Sequence, residues 1–425
     1  MEKPLTKNIR PGEPPLDIAA YEKAGGYEAV RKAVRMDPQD VTQMVKDARL
    51  RGRGGAGFPT GMKWGFVPMG EDAPRPRYLA VNGDEMEPGT FKDRLLLEGD
   101  PHLMLEGVIV ACWAIQAEVA YIFLRWAYHE AAAVLEQAIA EAHERGYLGK
   151  NILGSGLDLE VHIHASAGRY MAGEETGLLN ALEGKRSTPR AKPPFPPVVG
   201  LWGKPTVVNN VETLASVPAI VTHGAQWYLD LSDSDDGGTK LYGASGKVKR
   251  PGLWELPLGT TLGEVLQEHA GGMRDGYAFK GCLPGGASTD FLTSEHMDVK
   301  LDFEEVQKVG SRMGTGTIIV LDDQACPVAM VRNLERFFAQ ESCGWCTPCR
   351  EGLPWTANLL DAIERGEGEP GDLEKLDMHA ELLGPGMTFC ALAPGAMEPL
   401  QSALKYFRDD FQRHIDEGAC PWRRT

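Results

Sequence analysis

Between about residues 75 and 230 the chain alternates short apolar runs with longer amphipathic stretches. Tyr78 to Asn82 predicts a buried strand, Pro101 to Ile115 a helix, Val119 to Leu124 a second strand and Tyr128 to Arg145 a second helix. Leu157 to Ile163 predicts a third strand, and Gly173 to Glu183 a further helix. Asn209-Asn210-Val-Glu-Thr213 reads as a strand-to-helix turn. Such alternation predicts an α/β fold with a parallel, doubly wound sheet. Ligands of such sheets bind beyond the carboxyl ends of the strands. The segments there are Asn82 to Gly89, Arg125 to Tyr128 and Ala165 to Tyr170, rich in polar and small residues.

The pattern differs on either side. Residues 1–60 read as an N-terminal arm with helical pieces, among them a capped amphipathic helix over Asp37 to Asp47. The acidic stretch Asp230 to Gly238 reads as a boundary. Beyond it, short strands over Lys240–Ser245, Gly252–Leu256, Phe279–Leu283 and Thr317–Leu321 surround one helix, Thr261 to Ala270, a small α+β unit of the β-grasp kind. From 325 onward the pattern is helical. The expected division is an arm with a glycine-rich loop over 1–60, an α/β domain over 61–237, a β-grasp domain over 238–324 and a helical region over 325–425.

Composition narrows the function. The 425 residues carry a formal net charge of −16, which argues against nucleic acid and against an anionic membrane surface as partner. The most apolar stretch, Gly107 to Trp126, is interrupted by Gln116 and Glu118, so no transmembrane helix is expected. The first residues lack the pattern of a signal peptide, so the thiols are expected to stay reduced.

Cys343, Cys346 and Cys349 follow a C-x2-C-x2-C spacing, and Cys390 lies further on in Thr-Phe-Cys-Ala-Leu-Ala-Pro. Three close thiolates and one remote thiolate suit a four-iron cluster. Zinc more often takes paired C-x2-C units or Cys with His. Thr347-Pro348 reads as an N-cap followed by a first-turn proline, which sets Cys349 in a first helical turn, where the helix dipole favours a thiolate. Cys112, Cys282 and Cys326 read as ordinary buried thiols, and Cys420 lies near a tail.

Gly52, Gly54 and Gly57 satisfy G-x-G-x-x-G, but the run follows a helix and precedes the first strand, so a dinucleotide fingerprint fails on context. The glycines still expose backbone N–H groups able to cradle phosphate. A tight turn packing the arm on the sheet is the alternative reading. Lys63 could add charge there, and Phe58 or Phe66 could stack on a flat ring. Asp84, Glu85 and Glu87 cluster at a strand end, and Glu174 and Glu175 begin a helix, where carboxylates either complement the dipole or bind ribose hydroxyls. Lys192 and Phe195 sit in a proline-stiffened loop suited to a lid over a base. A one-electron cluster beside such loops suggests a converter of hydride into single electrons, and that conversion needs a flavin.

Six motifs occur in order: Gly-Arg-Gly-Gly-Ala-Gly-Phe-Pro-Thr-Gly, Asp-Glu-Met-Glu-Pro-Gly-Thr, Gly-Glu-Glu-Thr, Lys-Pro-Pro-Phe-Pro, Gly-Lys-Pro-Thr-Val-Val-Asn-Asn-Val-Glu-Thr and Glu-Ser-Cys-Gly-Trp-Cys-Thr-Pro-Cys-Arg. Over about residues 20–415 the chain resembles the NADH-binding flavoprotein subunits, of F type, of bacterial respiratory NADH:quinone oxidoreductase (complex I). The resemblance implies a Rossmann-like FMN domain, a β-grasp (ubiquitin-like) domain and a C-terminal four-helix bundle carrying a 4Fe–4S cluster. It implies that Gly54, Gly55, Ala56, Gly57, Lys63, Asn82, Asp84, Tyr170, Gly173, Glu174, Asn209, Asn210 and Thr213 surround FMN. Phe58, Phe66, Glu87, Glu175, Lys192 and Phe195 would hold NADH, and Cys343, Cys346, Cys349 and Cys390 the cluster. No side chain is expected to act as general acid or base, because the flavin does the hydride chemistry.

The implied partners are a small thioredoxin-like two-iron subunit and a larger multi-cluster subunit. The implied location is the cytoplasmic face of the inner membrane, reached only through the complex. Two rival readings are a diaphorase subunit of an NAD-linked hydrogenase or formate dehydrogenase, and a metal-bearing assembly scaffold without activity. The chain departs from the family pattern at Gly83, at Ala172 and at Trp126-Ala127. The first two are expected to leave the site intact, and the third to be absorbed by repacking.

Overall fold

The structure, a computed structural model, describes residues 2–423. It divides into two compact units. Of the described residues, the first comprises 2–86, 91–241 and 255–259, and the second 87–90, 242–254 and 260–423.

In the first unit, helices α1 (Ile18–Lys23), α2 (Glu28–Ala33), α3 (Pro38–Asp47) and α4 (Thr60–Trp64) lead into strand β1 (Tyr78–Gly83). Helices α5 (Lys92–Gly99) and α6 (Pro101–Ile115) follow, then β2 (Val119–Leu124), α7 (His129–Glu144), β3 (Glu160–Ala165), α8 (Glu175–Leu182), β4 (Thr206–Asn210), α9 (Val211–His223) and α10 (Ala225–Leu229). The four strands form one sheet in the order β3-β2-β1-β4, and every pair is parallel. The alternation along β1 explains the layers. Leu79 and Val81 point into a large core shared with α3, α6 and α9, whereas Tyr78 and Ala80 face a smaller cluster with Leu178, Leu179 and Leu182 of α8. Helix α6 is buried along its whole length, and Gly107 lets it press on α9: a Cβ there would lie 2.0 Å from the carbonyl oxygen of Leu214. The stretch expected as an arm is part of this core, with Tyr21 and Tyr27 buried.

Some boundaries differ from those expected. Strand β3 begins at Glu160 rather than Leu157. Leu159 pairs antiparallel with Gly149, and Asp158 accepts the N–H of Asn151 at 2.9 Å, so only from Glu160 does the chain join β2. Helix α8 begins at Glu175 because Glu174, in extended backbone, caps it. Residues Tyr170–Gly173 form a separate 3-10 turn.

The second sheet holds β5 (Thr239–Ser245), β6 (Gly252–Pro257), β7 (Phe279–Leu283) and β8 (Thr317–Asp322) in the order β6-β5-β8-β7. Its β5–β8 pair is parallel and its β7–β8 pair antiparallel. Helix α11 (Leu262–Glu264), closed by a capping box between Thr261 and Glu264, runs into a π turn over Val265–His269. Helix α12 (Glu305–Lys308) precedes β8. After it come α13 (Pro327–Glu341), α14 (Thr347–Arg365), α15 (Asp372–Leu382), α16 (Leu392–Tyr406) and α17 (Arg408–Glu417). Helix α13 packs on α14 and α16, α15 packs on α14 and α16, and α17 touches α13, α14 and α16.

Candidate functional site

In the first sheet the strand order reverses between β1 and β4, because β2 and β3 lie on one side of β1 and β4 on the other. A crevice opens beyond the carboxyl ends of strands at such a switch point. Asn82 and Asn210 are register partners at those ends. The Asn82 side-chain amide donates to the Gly173 carbonyl at 2.8 Å and its oxygen accepts the Asp84 N–H at 3.2 Å. Asn209 is held by the indole N–H of Trp64, which donates to its side-chain oxygen at 2.8 Å. Asp84, buried, accepts the Ser166 hydroxyl at 2.6 Å.

The glycine-rich loop closes as a small hairpin, with the Gly52 N–H donating to the Phe58 carbonyl and the Thr60 N–H to the Leu50 carbonyl. Gly55 (φ 122°) and Gly57 (φ 68°) take backbone that disfavours a side chain, and Gly54 to Ala56 are largely solvent-facing. A Cβ on Gly54 would stand 3.1 Å from Cβ of Asn210. The loop thus lies against the β4 end with its exposed backbone available, a cradle that fits a flavin phosphate. Thr213 ties it down, accepting the Arg53 N–H at 2.8 Å.

Beneath this crevice lies a buried ionic network. Lys92 donates to Asp93 at 2.7 Å and to the side-chain oxygen of Asn210 at 3.2 Å, and pairs with Glu212 at 2.9 Å. Lys240 donates to Glu212 at 2.8 Å, and the Leu241 N–H to its other oxygen at 2.9 Å. Asn210 donates to Asp93 at 2.6 Å. Burial alone would raise the Glu212 carboxyl, but Lys240, Lys92 and Arg53 hold it down at about 2. Burial lowers Lys240 to about 8, with Lys92 and Arg53 adding to the effect and Glu212 opposing it. Glu212 stays ionised and clamps two ammonium groups. Lys92, Asp93 and Lys240 were not among the expected site residues, since no local pattern marks a lysine as fully buried. Glu212 stood within one of the six motifs without an assigned role.

On the outer wall, Glu175 accepts from Lys192 at 2.5 Å and from Lys63 at 3.4 Å, and Lys63 also donates to the Val208 carbonyl at 3.2 Å. One oxygen of Glu174 is spent capping α8, accepting the N–H groups of Thr176 and Gly177 at 2.8 Å each; the other takes Lys192 at 3.3 Å. Phe58 and Phe66 lie 6.3 Å apart, centroid to centroid. Phe58 is 41%, Phe66 52% and Phe195 55% exposed, open faces of the kind that stack on a base.

The residues at the three departures differ in their surroundings. A Cβ on Gly83 would lie 3.2 Å from the Phe123 carbonyl, so this strand end has little room for one. Ala172 is buried in the smaller core. Trp126 is 60% exposed with its ring edge-on to His129, 5.2 Å away. The corner is fixed instead by its neighbours: Arg125 donates to the Glu85 carbonyl at 2.7 Å, and the Tyr128 hydroxyl to the Glu85 carboxylate at 2.9 Å. Burial, then the nearby Asp93, raises the Glu85 carboxyl to about 7.

The second unit holds Glu87 and the four cysteines. Glu87 accepts from the Ser288 N–H at 2.7 Å and hydroxyl at 2.8 Å. Helix α14 is capped at Cys346 rather than Thr347, with Pro348 and Cys349 in its first turn. Burial pushes the Cys349 thiol up to about 11; the Ser342 hydroxyl, 3.1 Å away, opposes this, while Cys346 and Cys343 reinforce it. The three thiols therefore share one corner. Gly344, at φ 72°, makes the turn between Cys343 and Cys346, and its carbonyl accepts from Arg350 at 3.1 Å. The rings of Trp345 and Phe389, 6.3 Å apart, join the first loop to the segment of Cys390, which immediately precedes α16. Three thiols at one helix start and a fourth at another fit a four-iron cluster.

Comparisons with known proteins agree with this geometry. The family model described as Nuo51 FMN-binding domain matches residues 45–219, the SLBB domain residues 244–291, and the NADH-ubiquinone oxidoreductase-F iron-sulfur binding region residues 329–414. The F subunit of the NADH-quinone oxidoreductase of Salmonella typhimurium is 57% identical over 97% of this chain and 93% of its own length. That of Escherichia coli is 57% identical with the same coverage, and that of Streptomyces coelicolor 50% identical over 96% of this chain and 89% of its own length. The chain belongs to the family of NADH-quinone oxidoreductase F subunits. Among solved structures, a chain of an NAD+-reducing [NiFe]-hydrogenase in the H2-reduced state matches with a TM-score of 0.81 and 37% identity, over 93% of this chain. This chain spans 65% of that chain's length.

Removing the charge of Glu212 strands two buried ammonium groups, so Glu212→Gln is expected to cost about 3–5 kcal/mol in chemical unfolding. For Glu85 the ordinary value is 4.5 and the folded value about 7. As pH rises between them, the unfolded chain loses the proton while the folded chain keeps it, so this group's contribution to stability falls with rising pH. Glu85→Gln is expected to flatten that part of the pH dependence of the unfolding midpoint; an unchanged slope would contradict it.

Proposed function

We propose that the chain oxidises NADH with a bound FMN and passes the electrons singly, through a 4Fe–4S cluster on Cys343, Cys346, Cys349 and Cys390, to iron–sulfur partners of NADH:quinone oxidoreductase. The observation that carries the reading is the pairing, in one chain, of a sheet switch point flanked by a glycine loop with a four-thiol set. When bound, the flavin accepts hydride and the cluster takes single electrons. The chain's own residues bind and orient. Gly54, Gly55, Ala56 and Gly57 would offer backbone N–H groups to the flavin phosphate, with Lys63 adding charge. Asn82, Asp84, Tyr170, Gly173, Glu174, Asn209, Asn210 and Thr213 would shape the rest of the crevice. Phe58 and Phe66 would stack on the adenine, and Phe195 would cover the nicotinamide end. Glu175 and Glu87 would take hydroxyls, and Lys192, now paired with Glu175, would face the nucleotide's phosphates.

The finer division belongs to the same proposal: an arm and loop over 1–60, a Rossmann-like domain over 61–237, a β-grasp domain over 238–324 and a helical bundle over 325–425. The parallel sheet, the SLBB match and the mutual packing of α13 to α16 support it. The partners would be a thioredoxin-like 2Fe–2S subunit and a larger multi-cluster subunit, with the chain peripheral on the cytoplasmic face of the inner membrane. Among the described residues no helix is long and apolar enough to cross a membrane, which suits that position.

A second reading, a diaphorase subunit of an NAD-linked hydrogenase, is favoured by the likeness to the hydrogenase chain. Co-purification decides between them: quinone-reducing partners support the first reading and a nickel–iron subunit the second. The test of the chemistry is anaerobic addition of NADH to the purified protein. Loss of the yellow flavin absorbance together with the electron paramagnetic signal of a reduced cluster is expected. A colourless protein, or one unchanged by NADH, would overturn the proposal.

A further inference from the structure

Away from the four cluster cysteines, four other donors converge in the second unit. Cys326, expected as an ordinary buried thiol, and Cys420, expected only to lie near a tail, meet Glu364 and His414 with all donor atoms within 4.8 Å of one another. Among the described residues this is the one group close enough to share a single ion. We infer that Cys326, Glu364, His414 and Cys420 form a second metal site, a closed tetrahedral site for a zinc-type divalent ion.

The distances fit one ion rather than a cluster. Bonds of about 2.0–2.3 Å in a tetrahedron set neighbouring donors about 3.3–3.8 Å apart. Cys326 Sγ lies 3.3 Å from His414 Nε2 and 3.5 Å from Glu364 Oε2, and His414 Nε2 lies 3.3 Å from Glu364 Oε2. The surroundings also prepare the donors. His414 Nδ1–H donates to the Asp410 carbonyl at 2.6 Å, which fixes the tautomer and aims the Nε2 lone pair at the other three donors. The Ala329 N–H donates to Cys326 Sγ at 3.3 Å, a bond that steadies a thiolate. Trp422 stacks on the His414 ring with centroids 5.8 Å apart. His414, Glu364 and Cys420 are buried.

Charge closes too. Two thiolates, one carboxylate and a neutral imidazole around a dication leave one negative charge, and Arg423 lies 3.3 Å from the second Glu364 oxygen. On loading, the two thiol protons leave to solvent. The donors come from chain ends that must be held together. Cys326 caps the start of α13, Glu364 lies at the end of α14, His414 in the last turn of α17, and Cys420 just past it. The glycine caps after α14 and α17 pack directly: a Cβ on Gly366 would stand 2.0 Å from the Gly418 carbonyl. The ion would lock the C-terminal segment onto the helices that carry the iron cluster. With four protein donors and no open position, the site is structural.

The test uses the full chain, expressed with zinc and purified anaerobically. Metal analysis is expected to find about one zinc per chain beside the cluster iron. Absorption fine structure at the zinc edge is expected to show two sulfurs near about 2.3 Å and lighter donors near about 2.0–2.1 Å. Cys326→Ser with Cys420→Ser should lose the zinc while keeping the iron and the NADH-reducible cluster signal. His414→Gln should weaken zinc retention against a chelator on its own. If the double variant fails to fold, the zinc-edge spectrum of the unaltered chain decides alone. No zinc in the unaltered chain, a shell without sulfur, a Cys326–Cys420 disulfide in the reduced preparation, or zinc retained by a folded double variant would each overturn the site.

Discussion

The first unit depends on one buried carboxylate. Glu212, fully enclosed at the start of α9, holds Lys92 and Lys240 and accepts the Leu241 N–H. It thereby joins helix α5, the first turn of α9 and the start of strand β5. The neighbouring Asn210 belongs to the same network, caps α9 and sits at the end of β4 against the glycine loop. A buried ion pair is poor evidence of added stability, since desolvation consumes much of the attraction. Its worth here is positional. Those enclosed charges hold the β4 end, α5, α9 and the start of β5 to one another.

That constraint sits under the place where doubly wound sheets bind ligands. The polar ends of β1 and β4 present amides held by Gly173 and Trp64. The loop presents backbone rather than side chains, and Gly54 has little room for a Cβ beside Asn210. Around it stand carboxylates paired with Lys63 and Lys192, and exposed phenylalanine faces.

Much of this was legible in the amino-acid order. Strand β2 and helix α6 fall where their apolar runs predicted, because both are largely buried and polar residues, Gln116, Glu118 and Arg125, interrupt the runs. Strand β3 was misjudged at its start, since Leu157 and Leu159 look like strand residues, but Leu159 pairs back onto Gly149 and the Leu157 carbonyl accepts the Ile152 N–H. The capping role of Glu174 was not read, since an acid at a helix start was taken either to complement the dipole or to bind ribose hydroxyls. The network of Lys92, Asp93, Glu212 and Lys240 was not legible, because a buried charge leaves no local periodicity and its partners are distant in sequence. Cys326, Glu364, His414 and Cys420 were missed for the same reason. Their uneven spacing matches no ligand pattern, and the ends of α14 and α17 that carry three of them meet through the packing of two glycine caps.

Hydride received in the first unit would leave as single electrons through the four-cysteine site of the second. Cys390→Ser, mixed rapidly with NADH without oxygen, tests it most directly. The account requires that the variant still bleach its flavin at the unaltered rate, that it hold less iron, and that it give no reduced-cluster signal. A reduced-cluster signal of normal size in that variant would contradict the account.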